Sequence, residues 1–416
     1  MRSARQLLKR LSRQDSRIVR LARQVADRQH VPLYLVGGAL RDLLLGAQPK
    51  DVDLLIEGSV HRFARELAAH PQAHLEYQSD FLTTTVWMGD RPVNIARART
   101  ETYSRPGALP KVKPAKVEDD LPRRDFSVNA MALGLTGRHS GALLDPCGGR
   151  ADLAKRVLRV LHDTSFIDDP TRIFRGVRLS ARLKFRFEPA TMRLARSAIR
   201  QGVLTRVSAD RWRCEILLML AEPDPVAAIK AGRRVGLVQE LLPRLRGGSR
   251  LRTALRRVPG IVAAAQQDSD TLRLLTLCGS TGSPADTARR LGLQGSALAA
   301  AIAPERSRGL PSRLASSRPS AVVRLLERLP VEAVCALAAL TTNERAHTII
   351  TRFLVNWRFV KPYITGADLL REGIAPGPAM GEGLRAARYA LIDGKANTRE
   401  QQLAVALSGI RRYRKD

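Results

Sequence analysis

Short apolar runs bounded by glycine, aspartate and proline crowd the first third of this chain and nearly vanish after residue 165. "LYLVGG", "DVDLLIEG", "FLTTTVWMGD" and "PVNIAR" have the length and the borders of strands. "VLRVLHD", near residue 157, reads as the last of them. Beyond it the apolar residues recur at helical spacing. Residues 170–225 read as two or three helices. Residues 225–345 read as Ala-, Leu- and Arg-rich helices broken at "RGGSR", "GSTGSP" and "SRGLPSRLASSRPS". This pattern demands an α/β head followed by a long all-α remainder, and 416 residues suffice for several domains. Aromatic residues make up only 4%, so the core must rest on Leu, Ala and Val, a composition that favours helices.

Two segments need separate treatment. At the N-terminus, Leu7, Leu8, Leu11, Ile18, Leu21 and Val25 keep a helical period, so "MRSARQLLKRLSRQ" is expected to be a folded first helix rather than a transit peptide. Residues 99–120 carry three prolines and no clean period, which predicts a long loop.

The formal net charge is +31. A polyanion is the expected partner, with nucleic acid ahead of an anionic membrane surface. The four cysteines form no C-x-x-C pair, which argues against a zinc site or disulfide framework and fits a reducing, cytoplasmic compartment. No stretch approaches the roughly 18 apolar residues of a membrane span, so no membrane partner is expected there.

The chemistry concentrates in "VGGALRDLLLGAQPKDVDL". Asp51 and Asp53 are one residue apart, so on a strand they share a face. Two carboxylates so placed repel unless something positive lies between them. Hard divalent cations take oxygen ligands, and Mg²⁺ commonly combines one or two carboxylates with substrate phosphates. D-x-D alone is common on exposed strands. Here it follows Gly37 and Gly38, which allow close backbone approach to a ligand. A short helix then begins, whose free N–H groups suit phosphate, with Arg41 in its first turn.

This stretch resembles the signature of the tRNA nucleotidyltransferase and bacterial poly(A) polymerase family, the class II branch of the polymerase-β-like nucleotidyltransferases. The pattern G-G-x-x-R-D-x-x-x-G followed by D-x-D is met by Gly37, Gly38, Arg41, Asp42, Gly46, Asp51 and Asp53. The resemblance implies that Asp51 and Asp53 are catalytic and bind Mg²⁺. "RRDFSVNAMAL" resembles the second block, which implies a sugar-handling role for Arg124, Asp125 and Asn129. "DPCGGRADL" resembles a hinge block and is read first as structural. "DDPTRIFRGVRLSARLKF" resembles the nucleotide-reading block, with Asp169 and Arg172 in the reading positions. The logic of that pair also follows from chemistry. Cytosine and adenine each present an amino donor beside a ring-nitrogen acceptor, and an aspartate with an arginine complements that order and rejects uracil and guanine.

On the same helix Ile173, Phe174, Val177 and Ala181 fall on one side and Arg172, Arg175, Arg178 and Arg182 on the other. Arg175 and Arg178 are carried as nucleotide-binding candidates, and Arg182 is expected to be solvated. "VSADRWRCEILLML" resembles a fifth block through Ser208, Arg211 and Glu215 and is expected to stabilise the neck helices. "ITGADLLREGIAPGPAMGEGL" resembles the C-terminal segment, and its Gly-Pro content is read mainly as a turn between helices.

Three departures stand out. Asp168 opens the fourth block where glutamate is common. Asn94 occupies a strand position that often carries aspartate in the family, which leaves two metal carboxylates. His162 and Asp163 are expected to be structural and without partners.

The resemblance implies a polymerase-β-like head over 1–155, a neck over 156–225, a helical body over 226–345 and a tRNA-binding tail over 346–416. It implies addition of C, C and A to the 3′ end of tRNA from CTP and ATP, and the presence of the 99–120 segment favours retained A addition. The alternatives are an A-adding specialist, a poly(A) polymerase, and an RNA-binding protein with an inactive head.

Overall fold

A computed structural model of the chain describes residues 4–79 and 81–414. Two compact units, 1–240 and 241–416, divide it.

The first unit opens with helices α1 (Ala4–Leu8) and α2 (Arg13–Arg28). The single first helix expected from the apolar period is therefore two, because Ser12 takes an extended conformation and its hydroxyl caps α2 by accepting from the Asp15 N–H. Next come β1 (Leu33–Val36), α3 (Gly37–Leu45), β2 (Val52–Ile56), α4 (Val60–Ala68), β3 (Ala73–Ser79), β4 (Thr83–Met88) and β5 (Arg91–Arg97). The expected strands in this stretch are β1, β2, β4 and β5. The polar edge strand β3 has no apolar run to announce it.

The expected loop over 99–120 is instead a hairpin of β6 (Arg99–Thr102) and β7 (Lys111–Pro114), followed by the short helix α5 (Val117–Asp120). Two-stranded ribbons need no apolar face, and Pro114 stands at the ribbon's end, where a missing N–H is tolerated. The head then adds β8 (Ala132–Gly134), β9 (Leu143–Leu144) and α6 (Gly149–Lys155).

Seven strands form one sheet in the order β3-β4-β5-β2-β1-β8-β9. The β2–β5 pair is parallel and the other neighbours are antiparallel. Tyr34, Val36, Leu55, Ala98, Val117, Leu121 and Ala132 pack as one core cluster beneath it. The strand expected near residue 157 is β10 (Val157–Leu158). It pairs in parallel with β11 (Arg186–Phe187) as a separate two-stranded sheet, outside the main one.

Helices follow as expected: α7 (Ser165–Asp168), α8 (Thr171–Leu183), α9 (Pro189–Arg200), α10 (Ala209–Leu220) and α11 (Pro225–Val235). On α8, Ile173, Phe174 and Val177 are fully buried. Gly176 packs α8 closely against Phe126 of the head and Phe187 of β11: an added Cβ would lie 2.7 Å from Phe126 Cζ and 2.8 Å from Phe187 Cζ. Arg182, expected to be solvated, bonds Glu222, as does Arg178.

The second unit is built of helices. Within it Ile364, Leu369, Ala387, Ala406 and Ile410 make a compact core. In "GADLLREGIAPGPAMGEGL" the expected turn between helices lies between Gly366–Arg371 and Pro378–Ile392. The break expected at 307–320, by contrast, holds a short helix, Leu310–Ser316. All four cysteines are free. No helix among the described residues is long and apolar enough to cross a membrane.

Candidate active site

Antiparallel pairing of β1 with β2 brings the end of β1 to the start of β2. The Gly37–Gly38 turn therefore lies against Asp53. Gly37 has φ +61°, and an added Cβ would stand 3.2 Å from Asp53 Oδ2 and 3.5 Å from Arg124 Nη1. Only glycine fits both the backbone conformation and the approach. The Ala39 N–H, at the start of α3, donates to Asp53 Oδ2 at 3.3 Å. The carboxylate thus caps the positive end of the helix.

Parallel pairing of β2 with β5 sets Asn94 opposite Asp53, and β4 sets Thr85 opposite Asn94. Asn94 Nδ2 donates to Asp51 Oδ2 at 3.3 Å and to Asp53 Oδ1 at 3.2 Å, while the Thr85 hydroxyl donates to Asn94 Oδ1 at 3.3 Å. The two aspartates therefore converge on one donor. Burial pushes the Asp51 carboxyl above its ordinary range, and the Asp53 charge pushes it further.

A chain of bonds runs from here into the second motif. Arg41 is 4% exposed; it donates to Asp42 Oδ1 at 2.7 Å and to Asn129 Oδ1 at 2.7 Å. Asn129 Nδ2 donates to Asp125 Oδ1 at 3.1 Å, and Arg175 Nε donates to Asp125 Oδ2 at 2.9 Å. Burial alone would raise the Asp125 carboxyl. Arg175, Asn129 and the Phe126 N–H outweigh it and hold the group down at about 2. The Asp125 charge in turn raises Arg175. Arg124 donates to Asp120 Oδ2 at 3.0 Å and to the Asn129 carbonyl at 3.3 Å.

Asp169 and Arg172 stand where α7 hands over to α8. Asp169 Oδ1 accepts from the Thr171 N–H, the Thr171 hydroxyl and Arg211 Nη2 at 3.1, 2.7 and 3.1 Å. Arg172 was expected on the polar face of α8 but is only 5% exposed. It donates to Ser165 Oγ at 2.6 Å and to the Arg123 carbonyl at 2.8 Å. His162, expected to lack partners, has Nε2 3.3 Å from Arg172 Nη1 and Nδ1 3.1 Å from Thr164 Oγ1. Burial and the Arg172 charge lower its pKa.

A cavity of about 770 Å³ is lined by Gly37, Gly38, Asp53, Arg124, Asp125, Asn129, Asp169, Arg172 and Arg175. A second, of about 310 Å³, is lined by Gly38, Arg41, Asp51, Asp53, Lys50, Asn129, Arg175, Arg178 and Arg182. Gly38, Asp53, Asn129 and Arg175 line both. Every candidate residue named from the sequence thus lines one or both cavities. The smaller one gathers five cationic side chains around the aspartates, a setting for polyphosphate. Asp51 and Asp53 offer oxygen ligands, the type a hard divalent cation takes, and a donor amide already sits between them. No group of three or more His, Cys, Asp or Glu that could hold a metal occurs among the described residues, so substrate or water oxygens would complete the shell.

Sequence reasoning passed over three contributors. In the sequence Asn94 shows only as a missing carboxylate. Arg211, in a block expected to stabilise the neck helices, bonds Asp169 and the Gly107 carbonyl of the β6–β7 hairpin. Arg91 carried no signal at all, because its partners lie in two distant segments.

Residues 33–159 match the family model described as the Poly A polymerase head domain. Over 401 residues the chain is 31% identical to the A-adding tRNA nucleotidyltransferase of Halalkalibacterium halodurans, spanning 92% of this chain and 90% of that protein. It is 30% identical over 402 residues to the A-adding tRNA nucleotidyltransferase of Geobacter sulfurreducens, spanning 92% of this chain but only 46% of that relative, less than half its length. Its structure is similar to that of the Thermotoga maritima CCA-adding enzyme complexed with tRNA, with a TM-score of 0.74, 28% identity and 98% of each chain covered.

Proposed function

This chain belongs to the tRNA nucleotidyltransferase family, and on that footing we propose that it adds C, C and A in order to the 3′ end of tRNA, using CTP and ATP and releasing pyrophosphate. The observation that carries the reading is the single cavity that unites Asp53, the Arg124–Asp125 pair and the Asp169–Arg172 pair. Those groups match the three parts of a nucleoside triphosphate. Asp51 and Asp53 would hold Mg²⁺, which when bound neutralises phosphate charge and activates the attacking oxygen.

The side chains of the chain itself do the rest. The Gly37–Gly38 turn lets the backbone approach the phosphates, and Lys50, Arg175, Arg178 and Arg182 balance their charge. Arg41 holds Asn129, which with Arg175 fixes Asp125 as a permanent acceptor for a ribose hydroxyl. Arg124 stands beside Gly37, close to the same sugar and phosphate. Asp169 accepts from the base amino group and Arg172 donates to the ring nitrogen, so the protein itself serves as the template. In-line attack by the tRNA 3′-hydroxyl then needs mainly positioning and charge stabilisation.

The division into head (1–155), neck (156–225), body (226–345) and tail (346–416) belongs to this proposal. So does a cytoplasmic site of action, where tRNA maturation occurs. The basic body and tail would hold tRNA through phosphate contacts, with a steep dependence on salt.

A second reading has its own support. The Halalkalibacterium and Geobacter relatives are both named as A-adding enzymes, and an A-adding specialist would keep every residue described above. Purified protein offered tRNAs ending before CCA, after C and after CC, with labelled CTP or ATP, separates the two. Ordered C, C and A on the shortest substrate supports full CCA addition. A single A on the CC-ended tRNA alone supports the specialist. Addition that survives Asp51→Ala would refute the role of the aspartates.

A further inference from the structure

Asp51 and Asp53 differ in how their backbones are held. Asp53 lies inside β2, paired with Asn94 of β5. Asp51 lies just outside it, at the end of an irregular segment, residues 46–51, that no strand or helix fixes. Two carboxylates brought this close repel, so the one on the looser backbone moves away unless that backbone is pinned.

The pin is Arg91, at the first position of β5. Its Nη1 donates to the Lys50 carbonyl at 2.5 Å and its Nη2 to the Pro49 carbonyl at 2.6 Å. These are the two residues that lead into Asp51. The same guanidinium meets Asp15 through two points, Nε to Oδ1 at 2.7 Å and Nη2 to Oδ2 at 3.0 Å. Asp15 is 1% exposed in the first turn of α2. Arg91 lines neither of the two cavities described above. A planar fork can satisfy two carbonyls and a carboxylate at once, which a lysine ammonium cannot do with the same geometry.

We infer that Arg91, braced by Asp15, is a positioning residue that holds the Pro49–Lys50 backbone so that Asp51 stands beside Asp53 ready for a divalent cation. The inference rests on the proposed metal-binding role of Asp51. Neither Arg91 nor Asp15 lines either cavity; both act through Asp51. Outer residues of this kind, when removed, typically weaken metal binding by about 10- to 100-fold.

The test uses the full chain and Mn²⁺ alone, followed by electron paramagnetic resonance, beside thermal unfolding and tRNA binding. Arg91→Gln is expected to weaken Mn²⁺ binding by about tenfold or more while tRNA affinity holds, and Arg91→Lys to recover part of the loss. In an Asp51→Asn background, Arg91→Gln should weaken Mn²⁺ no further, because its effect passes through Asp51. A folded Arg91→Gln protein with wild-type Mn²⁺ affinity overturns the inference. So does an equal loss in both backgrounds, which marks a general structural role. Should Arg91→Gln not fold, Arg91→Lys carries the test, and wild-type Mn²⁺ affinity in that variant overturns the inference. An Asp51→Asn protein that binds Mn²⁺ as the wild type does overturns the metal reading itself, and the inference with it.

Discussion

Asn94 and Asp53 stand opposite one another on β5 and β2, with Asn94 Nδ2 3.2 Å from Asp53 Oδ1. The same amide reaches Asp51 Oδ2 at 3.3 Å, and Thr85 fixes its orientation by donating to its oxygen. Asn94 therefore quiets the repulsion between the two carboxylates in the absence of a cation. It adds no charge of its own to a metal site.

Asn94→Asp reverses both effects. It replaces a donor by a third carboxylate, so the metal-free protein should melt at a lower temperature in EDTA. Added Mn²⁺ should then stabilise the variant more than the wild type, since binding to the folded state alone raises stability by mass action. A gain in Mn²⁺ affinity of about tenfold or more is expected, within the range over which such neighbours tune metal sites. Melting curves with and without Mn²⁺ measure both. Equal Mn²⁺ shifts in the two proteins would count against this account.

The parts of this arrangement that are local in sequence were legible there. Gly37, Gly38, Asp51 and Asp53 sit in one stretch, and the strand period alone places the two aspartates on one face. The swap from strand spacing to helix spacing near residue 165 gave the order of α/β head and helical remainder. What could not be read is what depends on pairing across distance. The row Asp53–Asn94–Thr85 exists only because β2, β5 and β4 are neighbours. The Asp15–Arg91 clamp joins residues 76 apart. The burial of Arg172 could not be read either, because helical phase alone cannot foresee that Ser165, His162 and the Arg123 carbonyl cover that part of α8. The 99–114 ribbon escaped detection because a two-stranded hairpin with exposed faces has no apolar alternation to show.

Gly176 tests the packing of α8 on the head. A Cβ there would meet ring atoms of Phe126 and Phe187 at 2.7 and 2.8 Å, and both rings are buried. Buried rings cannot swing aside as an exposed side chain could. Gly176→Ala is expected to destabilise the protein by about 1–3 kcal/mol despite its better helix propensity. Urea unfolding of the first unit's transition measures it. A neutral or stabilising result would mean that α8 shifts freely against Phe126 and Phe187.

Asp125 gives a pH signature. Its carboxyl is held at about 2 in the folded protein, against an ordinary value near 4, because Arg175, Asn129 and the Phe126 N–H outweigh burial. A lowered carboxyl contributes stability that is complete above the unfolded value and fades as pH falls from about 4 to about 2. Arg175 is half exposed, so solvent screening limits the size of the effect. The stability difference between wild type and Asp125→Asn should stay constant between pH 7 and pH 5 and shrink below about pH 4. Urea midpoints at pH 5 and pH 3 check this, and a difference that persists unchanged at pH 3 would contradict the ionised acceptor.

Asp169 tests the proposed reading of the base. Its Oδ1 takes all three bonds from Thr171 and Arg211, which fixes the carboxylate plane and leaves Oδ2 for a ligand. An amino group of cytosine or adenine satisfies a carboxylate oxygen, while a carbonyl of uracil or guanine at the same place leaves two acceptors facing one another. Removing the carboxylate removes that conflict. Asp169→Ala is therefore expected to lose preference for CTP and ATP over UTP and GTP by on the order of a hundredfold or more, with little change in tRNA affinity. Arg211→Ala, which frees one bond to Oδ1, should lose part of the same preference, and the two losses should not add, because both act on one carboxylate. The ratio of kcat/KM between paired nucleotides on a fixed tRNA is the measurement. A ratio unchanged in Asp169→Ala would remove Asp169 from base recognition and shift attention to Arg172 and the wall of the larger cavity.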